Sequence, residues 1–213
     1  MKISTLFLLV STLLMTMTGS TAMACTGIPD LNLSIVQQTF EGLATLLVMP
    51  DGSGPPLTEA HTADGTVVDA TIHLTLISTC IEAEPVPNFP REDMWLVSLG
   101  GGLAMCQGGT IADSNTDVDG HTQWSLPLKA GGWDDGNSRV VVNGVELGDP
   151  AGLTVNFSSP DIDGNLVVNL SDVTLFAMDF FGPYVFRSDL HHDGAVNLSD
   201  LAVVAGAVGI TCP

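Results

Sequence analysis

The chain has 213 residues, of which 45% are hydrophobic, and its formal net charge is −19. The hydrophobic fraction is large enough to form a core, which excludes a mainly disordered chain. A chain this acidic repels nucleic acid and anionic lipid, so nucleic acid is excluded as a partner. Carboxylates in such number are typical of a solvated secreted surface or of a protein that binds hard cations.

The first predicted element is a signal peptide, residues 1–24. Lys2 gives a basic start, an apolar stretch follows, and Ala22-Met23-Ala24 has the small-x-small pattern that signal peptidase reads. We therefore expect a secreted, extracellular protein. Attachment to the cell surface is an alternative, because Cys25 would be the first mature residue and could be lipidated. No second apolar stretch is long enough to span a membrane.

Residues 25–157 are predicted to form a β-sandwich. In the clearest strand, 68–76, alternate residues are apolar, which is the period-two pattern of a half-buried strand. Asn143-Gly144 predicts a tight hairpin between two strands. Further short strands are predicted at 43–49, 94–99, 122–128, 139–142 and 153–157, with turn residues between them.

This region resembles bacterial immunoglobulin-like modules. The matching segments are D-A-T-I-H-L-T-L at 69–76, P-V-P at 85–87 and D-V-D-G-H-T at 117–122. The resemblance implies an immunoglobulin-like β-sandwich that serves as a spacer or adhesion unit. Four cysteines, Cys25, Cys80, Cys106 and Cys212, are expected to form structural disulfides after export, and the sequence does not choose among the three pairings.

The strongest pattern is an internal repeat with an offset of 28 residues. Residues 161–172 read D-I-D-G-N-L-V-V-N-L-S-D, and residues 189–200 read D-L-H-H-D-G-A-V-N-L-S-D. We call these the first loop and the second loop. Two loops in register are a far more specific signal than one Asp-rich turn, which acidic secreted proteins often contain.

The spacing of the repeat suits Ca²⁺. Calcium takes about six to eight oxygen ligands, and a twelve-residue loop supplies them from positions 1, 3, 5, 7, 9 and 12. The predicted ligands of the first loop are Asp161, Asp163, Asn165, Val167, Asn169 and Asp172. Those of the second loop are Asp189, His191, Asp193, Ala195, Asn197 and Asp200.

Each loop departs once from the calcium pattern. Leu166 stands at position 6, where glycine usually makes the sharp turn, and a left-handed leucine costs about 1–2 kcal/mol. His191 stands at position 3, and imidazole is a poor ligand for a hard cation. We therefore expect the first loop to bind more tightly. Position 8, Val168 or Val196, is expected to pair the two loops through a short β-contact and to point into the core.

A helix is predicted after each loop, at 171–181 and 199–208. With these helices, the stretch 159–209 resembles a type I dockerin, a small α-helical module built from two half EF-hands; we place this module at 158–213. The resemblance implies calcium binding and docking on a cohesin-like module, often in polysaccharide-degrading assemblies. It also implies that Leu170-Ser171 and Leu198-Ser199, at loop positions 10 and 11, help to choose the partner.

The helices lack the basic residues that often support docking in dockerins. A self-assembling surface-layer or fibre subunit, whose partner is another copy of itself, is therefore the second hypothesis. A carbohydrate-binding accessory unit is the third, with polysaccharide as the partner and Trp133 as the residue to test. No catalytic motif is found, so we expect no enzyme activity.

Two weaker metal patterns were weighed. The acidic run Asp113, Asn115, Asp117 and Asp119 is better interpreted as a polar turn than as a third calcium loop, because no helix follows it. His191-His192 suggests zinc, but no cysteine or third histidine stands at a suitable spacing. His61, His73 and His121 are scattered along the sequence and are expected to be structural or exposed.

Overall fold

The computed structural model describes residues 27–78, 83–100, 102–147 and 152–213. The predicted signal peptide, Cys25 and Cys80 lie outside these ranges. Within them, no helix is both long and apolar enough to cross a membrane. We use "β unit" for the described residues up to Ser158 and "C-terminal unit" for 159–213.

The protein is mainly β, with several sheets and two α-helices. The strands are β1 (Ile35–Gln38), β2 (Ala44–Leu47), β3 (Ala60–His61), β4 (Val67–Val68), β5 (Ile72–Thr75), β6 (Ile77–Ser78), β7 (Glu84–Pro85), β8 (Met94–Ser98), β9 (Leu103–Met105), β10 (His121–Trp124), β11 (Ala130–Asp134), β12 (Ser138–Val142), β13 (Val145–Glu146) and β14 (Val155–Ser158). The helices are α1 (Leu170–Phe180) and α2 (Leu198–Ala207).

The strands form one larger sheet and three smaller ones. The larger sheet has the order β4-β3-β2-β14-β11-β9, and only its β14–β2 pair is parallel. The smaller sheets are β1-β5-β10, β13-β12-β8 and the pair β6-β7. This arrangement is consistent with the predicted β-sandwich.

The alternation predicted for 68–76 is present in the structure. Ala70, Ile72, Leu74 and Leu76 are fully buried and belong to one large apolar core, which also contains Trp124. Alternate residues of a strand point to opposite faces, so the other face of β5 is left at the surface. The predicted hairpin is also confirmed, because Asn143 and Gly144 both have positive φ and connect the paired strands β12 and β13.

The helices begin one residue earlier than predicted because an asparagine caps each of them. Asn169 caps α1 and Asn197 caps α2, and each side chain accepts a hydrogen bond from the backbone of the first turn. The C-terminal unit has its own small core of Ile162, Phe176, Leu190 and Val204, to which Leu47 of β2 adds a half-buried side chain.

The C-terminal unit packs directly on the larger sheet. The backbone N–H of Gly132 in β11 donates to the carbonyl of Asp161 at 2.6 Å. A disulfide joins Cys106, directly after β9, to Cys212. Side-chain packing, a backbone hydrogen bond and a covalent link therefore hold the two units together at the same sheet.

Candidate metal centre

The first loop is organised around the buried carboxylate of Asp161. This side chain is fully buried, and its two oxygens accept hydrogen bonds from the backbone N–H groups of Asn165 at 3.1 Å and Leu166 at 2.8 Å. These bonds fold the loop tightly around position 1. The sequence folds this way because a short acidic side chain at the start of a turn can satisfy N–H groups that would otherwise lack partners.

Asp172 closes the first loop from its other end. One carboxylate oxygen accepts from Asp163 N–H at 3.1 Å, and the other accepts from Asn169 N–H at 2.8 Å. The second of these bonds is half of the capping box of α1. The helix start therefore fixes the position-12 carboxylate. Each oxygen keeps a lone pair that can coordinate a cation.

The three carboxylates of the first loop converge. Asp161, Asp163 and Asp172 each offer an oxygen, and these oxygens lie within 4.8 Å of one another. Among the residues that the structure describes, this is the one group of three or more acidic, histidine or cysteine ligands so arranged. Neither ion pair of the described ranges, Arg91–Glu92 or Arg187–Asp179, reaches it.

The electrostatics of this cluster favour a bound cation. Burial, together with the charges of Asp172 and Asp163, raises the pKa of Asp161 to about 6, despite the hydrogen bond from Leu166 N–H. Like charges that crowd a buried carboxylate disfavour its ionised form, and a divalent cation removes that penalty. The donor set is all oxygen, which fits Ca²⁺.

The remaining predicted ligands of the first loop lie at its exposed rim. Asn165 is exposed and its side-chain oxygen accepts from Val167 N–H at 3.0 Å, while the Asn169 amide donates to the Val167 carbonyl at 3.0 Å. Leu166 has φ +69°, so the left-handed turn predicted at position 6 is present without glycine.

The second loop repeats the same backbone scaffold 28 residues later. Asp189 accepts from Asp193 N–H at 3.2 Å and Gly194 N–H at 3.0 Å. Asp200 accepts from His191 N–H at 2.7 Å and Asn197 N–H at 2.7 Å. Gly194 occupies position 6 with φ +81°, where the first loop has its leucine. The sequence repeat is therefore also a repeat of hydrogen bonds.

Among the described residues, the carboxylate oxygens of the second loop accept hydrogen bonds from side chains as well as from the backbone, unlike those of the first loop. The Tyr184 hydroxyl donates to Oδ2 of Asp189 at 3.1 Å, and the Asn197 amide donates to Asp193 at 3.0 Å. Burial and the charge of Asp189 raise the pKa of Tyr184 to about 12, so this hydroxyl keeps its proton. His191 is exposed at position 3 and adds no carboxylate. A cation must displace more protein contacts here than in the first loop.

The predicted β-contact between Val168 and Val196 is wrong. Val168 N–H donates to the Ile210 carbonyl at 2.8 Å, and the Val168 carbonyl accepts from Gly209 N–H at 2.8 Å. The segment after α2 therefore supplies the backbone partner that the second loop was expected to provide. The disulfide between Cys212 and Cys106 ties the end of this segment to the β unit. Val168 is fully buried, as predicted for position 8.

The predicted partner-binding residues lie at the surface. Leu170 is 77% exposed and Leu198 is 70% exposed, and Ser171 and Ser199 are exposed beside them. Each pair begins its helix, α1 or α2. Exposed leucines at equivalent places in a repeat are compatible with a docking surface, because isolated apolar side chains on a surface are ordinary but matched ones are less so.

The acidic run at 113–119 makes turn contacts instead of a converging ligand set. Asp113 accepts from Ser125 N–H at 2.8 Å, Asn115 accepts from Arg91 N–H at 3.1 Å, and Asp117 accepts from the His121 backbone at 2.9 Å. These contacts favour the interpretation as a polar turn.

The three tryptophans differ in exposure. Trp124 is buried, with its indole N–H donating to the Thr110 carbonyl at 2.9 Å. Trp95 and Trp133 are half-buried.

Four of the five histidines form two pairs in space, in contacts that agree with the structural role expected for His61, His73 and His121. His73 Nδ1 lies 3.2 Å from His121 Nε2, and their rings stack. His61 of β3 lies beside His192, with ring centroids 6.2 Å apart. Burial, together with the charges of His61 and His191, lowers the pKa of His192 to about 4. These contacts join strands and loops that are distant in the chain, so spacing alone did not reveal them.

The sequence also did not reveal that the first loop packs directly against β11. A Cβ added to Gly131 would overlap Oδ2 of Asp161, and one added to Gly132 would overlap the carbonyl of Gly102. The glycines let the loop approach the sheet closely. The available signal was the Gly-Gly pair between Ala130 and Trp133, which favoured a turn.

Comparisons with known proteins identify no relative. Neither protein-family models, nor curated proteins, nor solved structures gave a match to this chain.

Proposed function

We propose that the protein is a secreted, non-catalytic calcium-binding protein, in which a dockerin-like C-terminal unit on an immunoglobulin-like β-sandwich mediates docking or assembly. The observation that carries the calcium part is the convergence of Asp161, Asp163 and Asp172 within 4.8 Å. Three carboxylates at this separation repel one another, and a hard divalent cation offsets that repulsion.

Calorimetric titration of Ca²⁺ tests this part of the proposal. We expect two sites in the mature protein, with one lost in Asp172→Asn and the other lost in Asp200→Asn. Both substitutions keep the side-chain shape and remove the charge at position 12. Asp117→Asn is the matched control, because its carboxylate also accepts two backbone N–H groups in an acidic turn. No binding by the parent at millimolar Ca²⁺ would falsify the proposal.

The docking part rests on the exposed pairs at the start of each helix. Leu170 and Leu198 occupy equivalent positions of the repeat and both lie open to a partner. The proposed partner is a cohesin-like module, and the duplication would allow two docking orientations. Surface plasmon resonance with a type I cohesin module, with Ca²⁺ and with a chelator, measures this. Leu170→Asp alone should leave binding through Leu198, and the double variant Leu170→Asp/Leu198→Asp should abolish it.

Self-assembly is the second candidate, and the fixed position of the C-terminal unit favours it. The unit packs on its own β unit and is tied to it by the Cys106–Cys212 disulfide, as expected for a rigid building block. Analytical ultracentrifugation with and without Ca²⁺ separates the two candidates. A structural subunit associates on its own as its concentration rises, whereas an adaptor stays monomeric until its partner is added.

A further inference from the structure

A cavity of about 500 Å³ lies between the β unit and the second loop. Three of the chain's five histidines line it: His61 from β3, and His191 and His192 from the second loop. Apolar side chains, Leu47 and Val203 among them, and the acidic residues Asp64 and Asp193 also line it. The cavity is thus a place where imidazoles from two units of the protein meet away from the first loop.

His192 is held as a metal-ligating histidine usually is. It is buried, with 7% of its surface exposed, and its Nε2 lies 2.9 Å from the hydroxyl oxygen of buried Ser158. In the tautomer that carries its proton on Nε2 and donates it to Ser158, the lone pair is on Nδ1. Nδ1 has no hydrogen-bond partner in the described part of the chain. Ligating histidines almost always donate their other ring N–H to a carboxylate, a backbone carbonyl or water, and the Ser158 hydroxyl can take that place here.

The other two imidazoles are free to turn toward the same point. Neither His61 nor His191 makes a side-chain hydrogen bond among the described residues, and His191 is exposed. The ring centroids of His61 and His192 are 6.2 Å apart. Two imidazoles that share a tetrahedral ion through bonds of about 2.0–2.1 Å need their rings about 1 Å closer, which side-chain rotation can supply.

We propose that this cavity binds a borderline divalent transition metal, such as Zn²⁺, through His61, His191 and His192. Imidazole suits zinc, copper and nickel and is a poor ligand for calcium, so the site prefers a different metal from the calcium loops, although it uses His191 of the second loop. The fourth position is filled by water or by a carboxylate of the cavity wall, Asp64 or Asp193. Ser158 is a positioning residue that orients His192.

The position of the site gives the metal a structural role. His61 belongs to the larger sheet, and His191 and His192 belong to the second loop. An ion bound by both sides fastens the second loop to the β unit, as the Cys106–Cys212 disulfide fastens the first-loop side. The metal therefore adds to stability by binding only the assembled arrangement.

Zinc titration of the calcium-saturated protein tests the proposal, because excess Ca²⁺ occupies the carboxylate loops. We expect one zinc site in the parent. His61→Gln should weaken it more than about 100-fold, since losing a ligand should cost more than the 10–100-fold typical of an outer-shell partner. Ser158→Ala should weaken it about tenfold. Calcium titration and thermal melting establish that each variant is folded.

Two matched controls decide where the zinc binds. His121→Gln disrupts the other histidine pair, on β5 and β10, and should leave zinc binding unchanged. Asp172→Asn removes a first-loop carboxylate and should also retain it. The proposal is overturned if the parent binds no zinc, if His61→Gln binds zinc like the parent, or if His121→Gln or Asp172→Asn abolishes binding. These outcomes do not depend on whether the calcium proposal holds.

Discussion

The first and second loops share a sequence and a hydrogen-bond scaffold, yet they differ in how ready they are for a cation. In both, the position-1 aspartate accepts hydrogen bonds from two backbone N–H groups, and the position-12 aspartate completes the capping box of a helix. The first loop brings three carboxylates together, whereas the second places an exposed histidine at position 3. The two loops share the backbone scaffold, and the residue at position 3 of each loop, Asp163 or His191, decides whether a third carboxylate joins the ligand set.

The surroundings of the two loops also differ, because the first loop is packed against other elements and the second loop faces a cavity. β11 lies against the first loop at Gly131 and Gly132, and the segment after α2 pairs with it at Val168. The second loop instead faces the cavity that holds His61. Close packing fixes the carboxylates of the first loop before a cation arrives, which lowers the ordering cost of binding.

Removing the disulfide should have the largest effect. The double variant Cys106→Ser/Cys212→Ser should lose about 4 kcal/mol in its free energy of unfolding, because the cross-link closes a loop of 106 residues. First-loop calcium affinity should fall with it, since Cys212 N–H donates to the Leu166 carbonyl at 3.3 Å, and second-loop affinity should not. Urea unfolding and calcium calorimetry measure the two effects. An equal loss of calcium affinity in both loops would contradict the proposed difference between them.

Gly131→Ala should have the next largest effect. Its Cβ overlaps the buried Asp161 carboxylate, so the first loop must move off the sheet at a cost of about 3 kcal/mol. The same calorimetric titration should show the first-loop site weakened and the second unchanged. Gly206→Ala is the matched control, because nothing lies within 4 Å of its added Cβ and alanine favours the helix. If Gly131→Ala kept the full calcium affinity of the first loop, packing against β11 would not contribute to calcium binding.

Asp179→Asn tests the contacts that hold the chain segment directly before the second loop. Asp179 lies in the last turn of α1 and accepts two hydrogen bonds from Arg187, at 2.8 and 2.9 Å, and one from Ser188 at 2.7 Å. Losing them should cost about 2 kcal/mol at neutral pH, a value kept low because Arg187 is about one-third exposed. Second-loop affinity should fall more than first-loop affinity, because Ser188 directly precedes Asp189.

The same pair predicts a pH dependence. The hydrogen bond from Arg187 lowers the pKa of Asp179 below its usual value of 3.8. The interaction of Asp179 with Arg187 therefore stabilises the fold when the pH is above the pKa that Asp179 has in the unfolded chain. This stabilisation is lost as the pH falls through the pKa of Asp179 in the folded protein. The stability difference between parent and Asp179→Asn should shrink below about pH 4. A difference that stays constant from pH 7 to pH 3 would contradict this role.

His191→Asp should have the smallest effect of the four. It supplies the missing position-3 carboxylate and should strengthen calcium binding in the second loop about tenfold, or about 1.4 kcal/mol. Asp163→His is the reciprocal change and should weaken the first loop by a similar factor. If His191→Asp leaves calcium affinity unchanged, the Tyr184 and Asn197 contacts, rather than the histidine, limit the second loop.

The sequence predicted what depends on neighbours in the chain. Loop positions, the left-handed turn at Leu166 and both helices follow from residues within about a dozen positions, and helix starts erred by one because the asparagine caps were not recognised. The alternation of β5 was visible for the same reason.

What the sequence could not predict depends on distant contacts. β11 was missed because Gly131-Gly132 has weak strand propensity, and only the Asp161 carboxylate lying against it explains the glycines. The His73–His121 pair spans 48 positions and is set by the pairing of β5 with β10. Val168 paired with Ile210 instead of Val196, because the disulfide holds that segment in place.

The pairing of Val168 with the segment after α2 has a consequence for the order in which the protein matures. The backbone hydrogen bonds that Asp189 and Asp200 accept all come from within the second loop, so this scaffold can assemble early. The first loop is complete only when residues 209–212 have returned to it and Cys212 has found Cys106. Closing such long loops is slow, and disulfide formation takes seconds to hours. The loop that we expect to bind calcium more tightly is therefore the later one to form, and we expect formation of the disulfide to set the pace of its metal loading.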